Sequence, residues 1–171
     1  QSSFPTLLVK TGVTIVTAGD LELLARGDFT LASGALIGTT GDVTIRADHD
    51  DTNGAGGVID LIGTINANNV NVHGNKDSDT VNVTNVTNGS ETTIWTYGGS
   101  DVINIRTTKA ETAVYAGQGN DTVNVGTLAP ATGGVLDLIV GQLLIFGEDG
   151  FDIVNLDDTG ENSDNLATLT D

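Results

Sequence analysis

One short pattern, repeated four times, constrains this chain more than any other feature. A glycine-containing turn ends in an aspartate, and a short run that is rich in apolar residues follows. In every copy an asparagine stands three residues after the aspartate, with an apolar residue on each side of it. A tight turn followed by residues that alternate with a period of two predicts a β-strand after each aspartate. The aspartates are Asp79, Asp101, Asp121 and Asp152, and the asparagines are Asn82, Asn104, Asn124 and Asn155.

The spacing of the pattern predicts how these strands are arranged. The aspartates are 22, 20 and 31 residues apart, and the longest gap contains an apparent insertion at 128–134. Similar turns at Asp20 and Asp42 are also 22 residues apart, and no stretch has a helical period of useful length. A repeat of this length at a fixed phase is typical of stacked coils with parallel strands about 4.8 Å apart. We predict an all-β, right-handed parallel β-solenoid with about six to seven coils of 20–22 residues.

The regularity of the pattern varies along the chain. We predict a single solenoid over 1–171, with irregular coils over 1–68, repeat-bearing coils over 69–157 and an acidic polar tail over 158–171. Within the repeats, the second and fourth residues after each aspartate should face the core, because strand side chains alternate between faces. The asparagines should then face outward and bond to the amide of the next coil. The predicted core residues are Val81, Val83, Ile103, Ile105, Val123, Val125, Val154 and Leu156.

The charge of the chain limits its partners. Twenty-three acidic residues stand against six basic ones, which gives a net charge of -17. This charge repels nucleic acid phosphates and suits a protein that collects cations. The sequence has no cysteine, and no apolar run reaches the ~20 residues needed to cross a bilayer. We expect no nucleic-acid partner and no membrane span, and we infer from composition an extracellular or cell-surface location.

The run Gly117-Gln118-Gly119-Asn120-Asp121-Thr122-Val123 resembles the nonapeptide of the RTX (repeat-in-toxin) calcium-binding proteins. The segment Gly147 to Asp152 is similar, and the resemblance covers about a quarter of the chain. It implies that Ca²⁺ binds between successive turns through aspartate carboxylates and turn carbonyls. This chain has one such turn in each coil, and the turn before Asp101 reads one residue short. The implied metal residues are Asp79, Asp101, Asp121, Asp152, Gly117, Gly119, Gly147, Gly150, Asp77 and Asp149.

Electrostatics supports the same interpretation. Carboxylates stacked at the strand spacing repel one another by about 1 kcal/mol per pair even in water, and a divalent cation between them reverses that repulsion. Ca²⁺ is held by six to eight hard oxygen ligands, which a column of aspartates and carbonyls can supply. The alternative is that each aspartate caps its own turn by accepting backbone N–H groups.

Two further acidic stretches are weaker candidates for cation binding. The loop from Asp48 to Gly54 holds three carboxylates and one asparagine amide within six residues, enough to wrap one cation. It departs from the EF-hand spacing, and we interpret it as a solvated acidic turn. The residues Asp157, Asp158, Glu161 and Asp164 form an acidic run that is also typical of a solvated segment.

These observations predict a calcium-binding structural module, such as an adhesin, matrix or filament component, and not an enzyme. Open strand edges predict end-to-end contact with other copies or with longer chain segments. The alternative is a glycan-binding module, in which Trp95, Tyr97 and Tyr115 form an aromatic patch. A polysaccharide lyase or epimerase is a weaker alternative, because six basic residues offer little for a uronate substrate.

Overall fold

The chain folds into β-strands and turns over the residues that the computed structural model describes, which are 6–51, 54–85 and 91–162. These ranges contain no helix, as the missing helical periodicity predicted. The strands are rich in valine, isoleucine, leucine and threonine, which pack well on a pleated surface. The strands are β1 (Leu7–Val9), β2 (Thr14–Thr17), β3 (Leu21–Leu24), β4 (Phe29–Leu31), β5 (Leu36–Thr39), β6 (Val43–Arg46), β7 (Val58–Leu61), β8 (Thr64–Asn66), β9 (Asn69–His73), β10 (Thr80–Val83), β11 (Glu91–Trp95), β12 (Val102–Ile105), β13 (Thr112–Tyr115), β14 (Gln118–Gly119), β15 (Thr122–Val125), β16 (Leu143–Phe146), β17 (Asp149–Gly150) and β18 (Ile153–Leu156).

The described strands form parallel sheets that the chain visits in rotation. Sheet A has seven strands in the order β1-β4-β7-β10-β12-β15-β18, and sheet C has six in the order β3-β6-β9-β11-β13-β16. Sheet B contains β2, β5 and β8, while β14 pairs with β17 at a corner. Each pass of the chain adds the next strand to a sheet, so the order is consistent with a parallel β-solenoid.

The core lies between the sheets and consists of columns of aliphatic side chains. In sheet A, the valines and isoleucines predicted to face inward on β10, β12 and β15 are at most 2% exposed. Sheet C contributes Val70, Val72, Ile94 and Val114 to the same core. Burial of each such side chain stabilises the fold by about 1.5–3 kcal/mol, so the stacked columns supply the main driving force.

The last strand differs from this pattern. Val154 and Leu156 lie in the predicted columns, opposite Val123 and Val125 of β15. They are nevertheless 47% and 44% exposed, so the prediction that they are core residues was wrong. The physical reason is their position: β18 is the outermost strand of sheet A in the described residues, and no further strand covers its far side.

The asparagines form a continuous hydrogen-bonded ladder, as predicted. The side-chain amide of Asn104 donates to Asn82 Oδ1 at 2.8 Å, and Asn124 donates to Asn104 Oδ1 at 2.9 Å. The ladder continues to Asn155 on one side and ends at the Asp60 carboxylate on the other. Its middle members are buried, because the insertion after β15 folds over this face; Ala129–Thr132 lines a cleft together with Asn124 and Asn155.

Candidate metal centre

The register of sheet A places the four repeat aspartates in one column. The strands that follow them pair residue for residue, Thr80 with Val102, Val102 with Thr122, and Thr122 with Ile153. Each aspartate immediately precedes its strand, so neighbouring carboxylates are about one strand spacing apart, roughly 4.8 Å. The preceding position in the column is Gly57, so the carboxylates begin at Asp79 and continue as far as Asp152 in the described residues.

Three of the four corners share one backbone conformation. The residue four positions before the aspartate is left-handed in each, with φ of 68° at Tyr97, 99° at Gly117 and 71° at Glu148. A glycine with positive φ stands two positions before the aspartate, namely Gly99, Gly119 or Gly150. The corner before Asp101 is therefore complete, because Tyr97 takes the position that glycine holds in the next corner. The expectation that this turn is one residue short was wrong, since the sequence does not reveal a left-handed tyrosine.

The glycines of these corners stack against the carbonyl oxygens of the corner before them. A Cβ added at Gly119 would overlap the Gly99 carbonyl oxygen, and one added at Gly150 would overlap that of Gly119. Close approach and positive φ together require glycine here. The stacked corners bring peptide carbonyls and carboxylates into the same column.

One oxygen of each carboxylate is used to join neighbouring corners. The backbone N–H of Asp79 donates to Asp101 Oδ1 at 2.7 Å, that of Asp101 to Asp121 Oδ1 at 2.8 Å, and that of Asp121 to Asp152 Oδ1 at 3.0 Å. Gly57 donates in the same way to Asp79 Oδ1 at 2.6 Å. The aspartates therefore cap the neighbouring corner through one oxygen, rather than only their own turn as the alternative supposed.

The corners differ in whether the second carboxylate oxygen, Oδ2, accepts a hydrogen bond. Asp79 Oδ2 accepts the Asn75 backbone N–H at 2.6 Å. The Oδ2 atoms of Asp101 and Asp121 are buried and have no hydrogen-bond partner, and both residues are 1% exposed. The nearby Thr96 hydroxyl acts to lower the pKa of Asp101. Its hydrogen bond, however, is donated to the Ala116 carbonyl at 2.7 Å.

Burial makes ionisation of this column unfavourable. Desolvation raises the pKa of Asp101 to about 7, against the opposing effect of the hydrogen bond from Asp79. Desolvation likewise raises the pKa of Asp79 to about 6, although the Asn75 and Gly57 N–H groups act in the other direction. The pKa of Asp121 is also raised, first by burial and then by the charge of Asp152. A proton or a cation would satisfy the Oδ2 atoms of Asp101 and Asp121, which lack a donor.

The donor set suits a hard cation. Carboxylate and peptide carbonyl oxygens are the ligands that Ca²⁺ prefers, and the Oδ2 atoms of Asp101 and Asp121 are the orphaned acceptors here. The remaining predicted residues lie in different places. A Cβ added at Gly147 would overlap the Asp152 carboxylate of its own corner, whereas Asp149 is exposed and its N–H donates to the Gly117 carbonyl.

Asp77 belongs to a separate acidic cluster that the fold assembles from two loops. Ligand atoms of Asp48, Asp51 and Asp77 lie within 4.8 Å of one another, and Asp48 is fully buried. Lys76 forms an ion pair with Asp51, and the Asn75 amide donates to the Asp48 carbonyl at 2.7 Å. Sequence reasoning treated these loops separately, because nothing in the sequence indicated that they meet. Residues 52 and 53 of the acidic loop lie outside the described residues.

Sheet C carries a column of stacked rings, in which Trp95 and Tyr115 of the predicted aromatic patch lie between His73 and Phe146. His73, Trp95, Tyr115 and Phe146 stack in that order, with centroids 4.8, 5.9 and 4.8 Å apart and planes within 12°. Each ring lies six residues before a repeat aspartate, so the spacing that revealed the aspartates also applied to the rings. Burial and then the charge of Arg46 lower the pKa of His73 to about 4, which keeps the imidazole neutral in the stack at neutral pH.

The stacked rings bear on the glycan hypothesis. Trp95 and Tyr115 direct their ring faces at neighbouring rings, so they offer edges rather than faces to a sugar. Tyr97 is 47% exposed, but its hydroxyl bonds to His73 Nδ1 at 2.7 Å and its ring stacks on the same histidine. The geometry favours a packing role, and glycan binding stays a prediction.

Comparisons with protein-family models, with curated proteins and with solved structures found no match to this chain. Among the residues that the structure describes, none belongs to a helix of the length and apolar character needed to cross a membrane.

Proposed function

We propose that this chain is a calcium-binding structural module, built as a right-handed parallel β-solenoid of about six to seven coils. Ca²⁺ binds between stacked glycine–aspartate corners, as the resemblance to RTX repeats implies. The module serves outside the cell or at its surface, in an adhesin, matrix or filament.

One observation carries the proposal: within the column, two buried carboxylates each have an oxygen without a hydrogen-bond partner. Asp101 and Asp121 are neighbours in the column, and their Oδ2 atoms are the atoms concerned. A buried polar atom without a partner costs about 1–3 kcal/mol, and an unpaired buried charge costs more. A divalent cation beside both carboxylates removes that cost and their mutual repulsion together.

Different residues of the corners would provide the charged and the neutral ligands of the cation. Asp101 and Asp121 supply charge, and the carbonyls of Gly99 and Gly119, against which the glycines of the next corners stack, would supply neutral oxygen ligands. The Oδ1 atoms keep their backbone donors, which fixes the orientation of each carboxylate. The cation supplies cohesion between coils, so its effect is on stability and not on a chemical reaction.

A role without catalysis agrees with the arrangement of the titratable groups. The aspartates of the column use one oxygen for structure, and the neutral His73 is stacked between rings. The chain has only six basic residues for an anionic sugar substrate. Structural calcium binding is therefore the function that accounts for most of these features.

The proposal is tested by calcium titration calorimetry and by melting with and without chelator. Wild-type protein should gain roughly 3–4 kcal/mol per site at 100–1,000 times the dissociation constant. Asp101→Asn and Asp121→Asn keep the Oδ1 acceptor but remove the charge, so each should lose calcium-dependent stabilisation. An unchanged wild-type melting temperature in chelator, with no heat of binding, would contradict the proposal.

A matched control is available at another corner of the chain. Asp42 stacks on Asp20, whose Oδ1 accepts the Asp42 N–H at 3.0 Å, and Asp42 Oδ1 accepts the Asn69 backbone N–H at 3.2 Å. This corner is less buried than the one at Asp101. Asp42→Asn should leave calcium binding unchanged, which separates the loss of a ligand from the general loss of one negative charge.

A further inference from the structure

The two ends of sheets A and C carry strands that lack a second neighbour. In the described part of the chain, β1 and β18 are the outermost strands of sheet A, and β3 and β16 are those of sheet C. All their pairings are parallel, so the first pass of the chain lies at one end and the last pass at the other. We infer that the last pass of one copy binds the first pass of a second copy, head to tail, in the register of the existing columns.

The apolar side chains of the two ends match in that register. The column that begins at Leu7 runs through Phe29 and ends at Val154, so Leu7 of the second copy lies against Val154 of the first. In sheet C the same rule places Leu24 against Phe146, and these side chains are 47% and 43% exposed. Joining the ends would bury apolar surface that each copy leaves open to water.

The charges beside these strands also match. Lys10 directly follows Val9 of β1, and Asp157 directly follows Leu156 of β18, so the continued register places Lys10 opposite Asp157. Arg26 stands two residues after Leu24, and Glu148 stands two residues after Phe146, so Arg26 is placed opposite Glu148. A chain with only six basic residues thus has two of them at one end, each facing an acid at the other.

Contacts within each copy are compatible with this joint. Arg26 pairs with Asp50 at 3.1 Å, but its side chain remains 66% exposed. Asp157 Oδ2 accepts the Gly134 N–H at 2.6 Å, which holds the carboxylate beside the strand end. The asparagine ladder ends at the joint, because Asn155 would meet Leu8 on the outer face of sheet A.

A head-to-tail contact of this kind does not close on itself. Each added copy presents a new last pass, so the association continues into an open filament. The joint depends on strand register and not on calcium, so filament formation and calcium binding can each fail without the other.

The first test reverses the charges of one end at a time. Lys10→Glu with Arg26→Glu makes both ends acidic, and Glu148→Lys with Asp157→Lys makes both ends basic. We expect wild-type protein to sediment as a concentration-dependent series of oligomers, and each reversed protein alone to lose all species above the monomer. An equimolar mixture of the two should regain association, because each reversed end then meets its complement. Circular dichroism and melting check that each variant is folded.

A control variant distinguishes a specific joint from a general effect of net charge. Lys109→Glu changes the charge at an exposed position between the two ends, and it should leave association unchanged. Wild-type protein that stays monomeric at high concentration overturns the inference. Association that survives both charge reversals, or a mixture that stays monomeric, overturns it as well.

The second test uses cross-linking, because the native sequence has no cysteine to interfere. Facing residues in adjacent parallel strands are about 4.8 Å apart, which lies within the Cα separation of a disulfide. Under oxidation, protein with Lys10→Cys and Asp157→Cys should form a ladder of covalent multimers, whereas either single variant should form at most a dimer. A double variant that forms no more than the single variants do overturns the proposed register.

Discussion

The aspartate column and the asparagine ladder are stacked on the same four strands of sheet A, yet they meet opposite chemical demands. Each asparagine amide carries a donor and an acceptor, so Asn104 can donate to Asn82 and accept from Asn124 without outside help. A carboxylate carries acceptors only. Each aspartate therefore accepts a hydrogen bond from a backbone N–H with one oxygen. At Asp101 and Asp121 the other oxygen has no partner. The stacked amides satisfy one another, whereas the stacked carboxylates depend on donors from elsewhere, and Asp101 and Asp121 lack one for Oδ2.

The largest expected loss of stability comes from replacing a buried asparagine of the ladder with an aspartate. Asn104→Asp removes the donor to Asn82 Oδ1 and places a charge at a residue that is 3% exposed. An unpaired charge left at a buried site lowers the free energy of unfolding by about 3–5 kcal/mol. Urea unfolding at neutral pH measures this loss.

The same exchange at the end of the ladder provides its control. Asn155 is exposed and donates to Asn124 Oδ1 at 2.9 Å. Asn155→Asp should cost less than Asn104→Asp, because water solvates the new charge. Equal losses at the two positions would show that burial is not the reason that the ladder requires amides.

The next effect concerns the glycines that stack the aspartate corners. Gly119→Ala requires a side chain at φ of 138° and places it against the Gly99 carbonyl. Strained backbone alone costs about 1–3 kcal/mol, and the overlap adds to it. Gly12→Ala is the matched control, because φ is 77° there and an added Cβ would meet nothing within 4 Å. Thermal melting should show a clearly larger loss for Gly119, and similar losses would mean that the corners are not closely stacked.

The most gradual effect is a dependence of stability on pH that the aspartate column should show and the asparagine ladder should not. Without calcium, the raised pKa of Asp79 (about 6) and Asp101 (about 7) means that the folded state holds its protons after the unfolded chain, near pKa 3.9, has lost them. Stability from this source is full below about pH 4 and is lost as pH rises to about 7. The melting temperature of wild type minus that of Asp101→Asn, measured in chelator, should fall over this range.

Calcium should reverse the sign of this dependence. A bound cation would favour the ionised carboxylates, so the stabilisation that it provides should grow as pH rises through the same range. A difference between wild type and Asp101→Asn that does not change with pH, with or without calcium, would show that the column neither titrates nor binds the cation.

Much of the fold was accessible from the order of the residues. The apolar alternation on β10, β12 and β15 and the similar spacing of Asp79, Asp101 and Asp121 predicted parallel strands, their register and the buried face. These features repeat with one period, and a repeated pattern can satisfy a core only if its copies lie in register.

Other features could not be predicted from the sequence, because they depend on tertiary contacts or on local backbone conformation that the repeat does not specify. Asp48 and Asp51 meet Asp77, although the sequence predicted a solvated acidic turn for the first loop and placed Asp77 with the repeat corners. Tyr97 adopts a left-handed conformation that its residue type does not suggest. Val154 and Leu156 have the pattern of core residues but are exposed, because burial depends on whether another strand lies above them.

The sequence by itself determined that this chain is built of parallel strands, with like residues stacked in columns, because a recurring pattern with a period of one coil has few other ways to bury its apolar face. The tertiary structure alone decided which of the stacked carboxylates are enclosed and which oxygen of each lacks a donor. That outcome depends on the neighbours of each corner and on the left-handed backbone that brings them together, neither of which is encoded in the spacing of the aspartates.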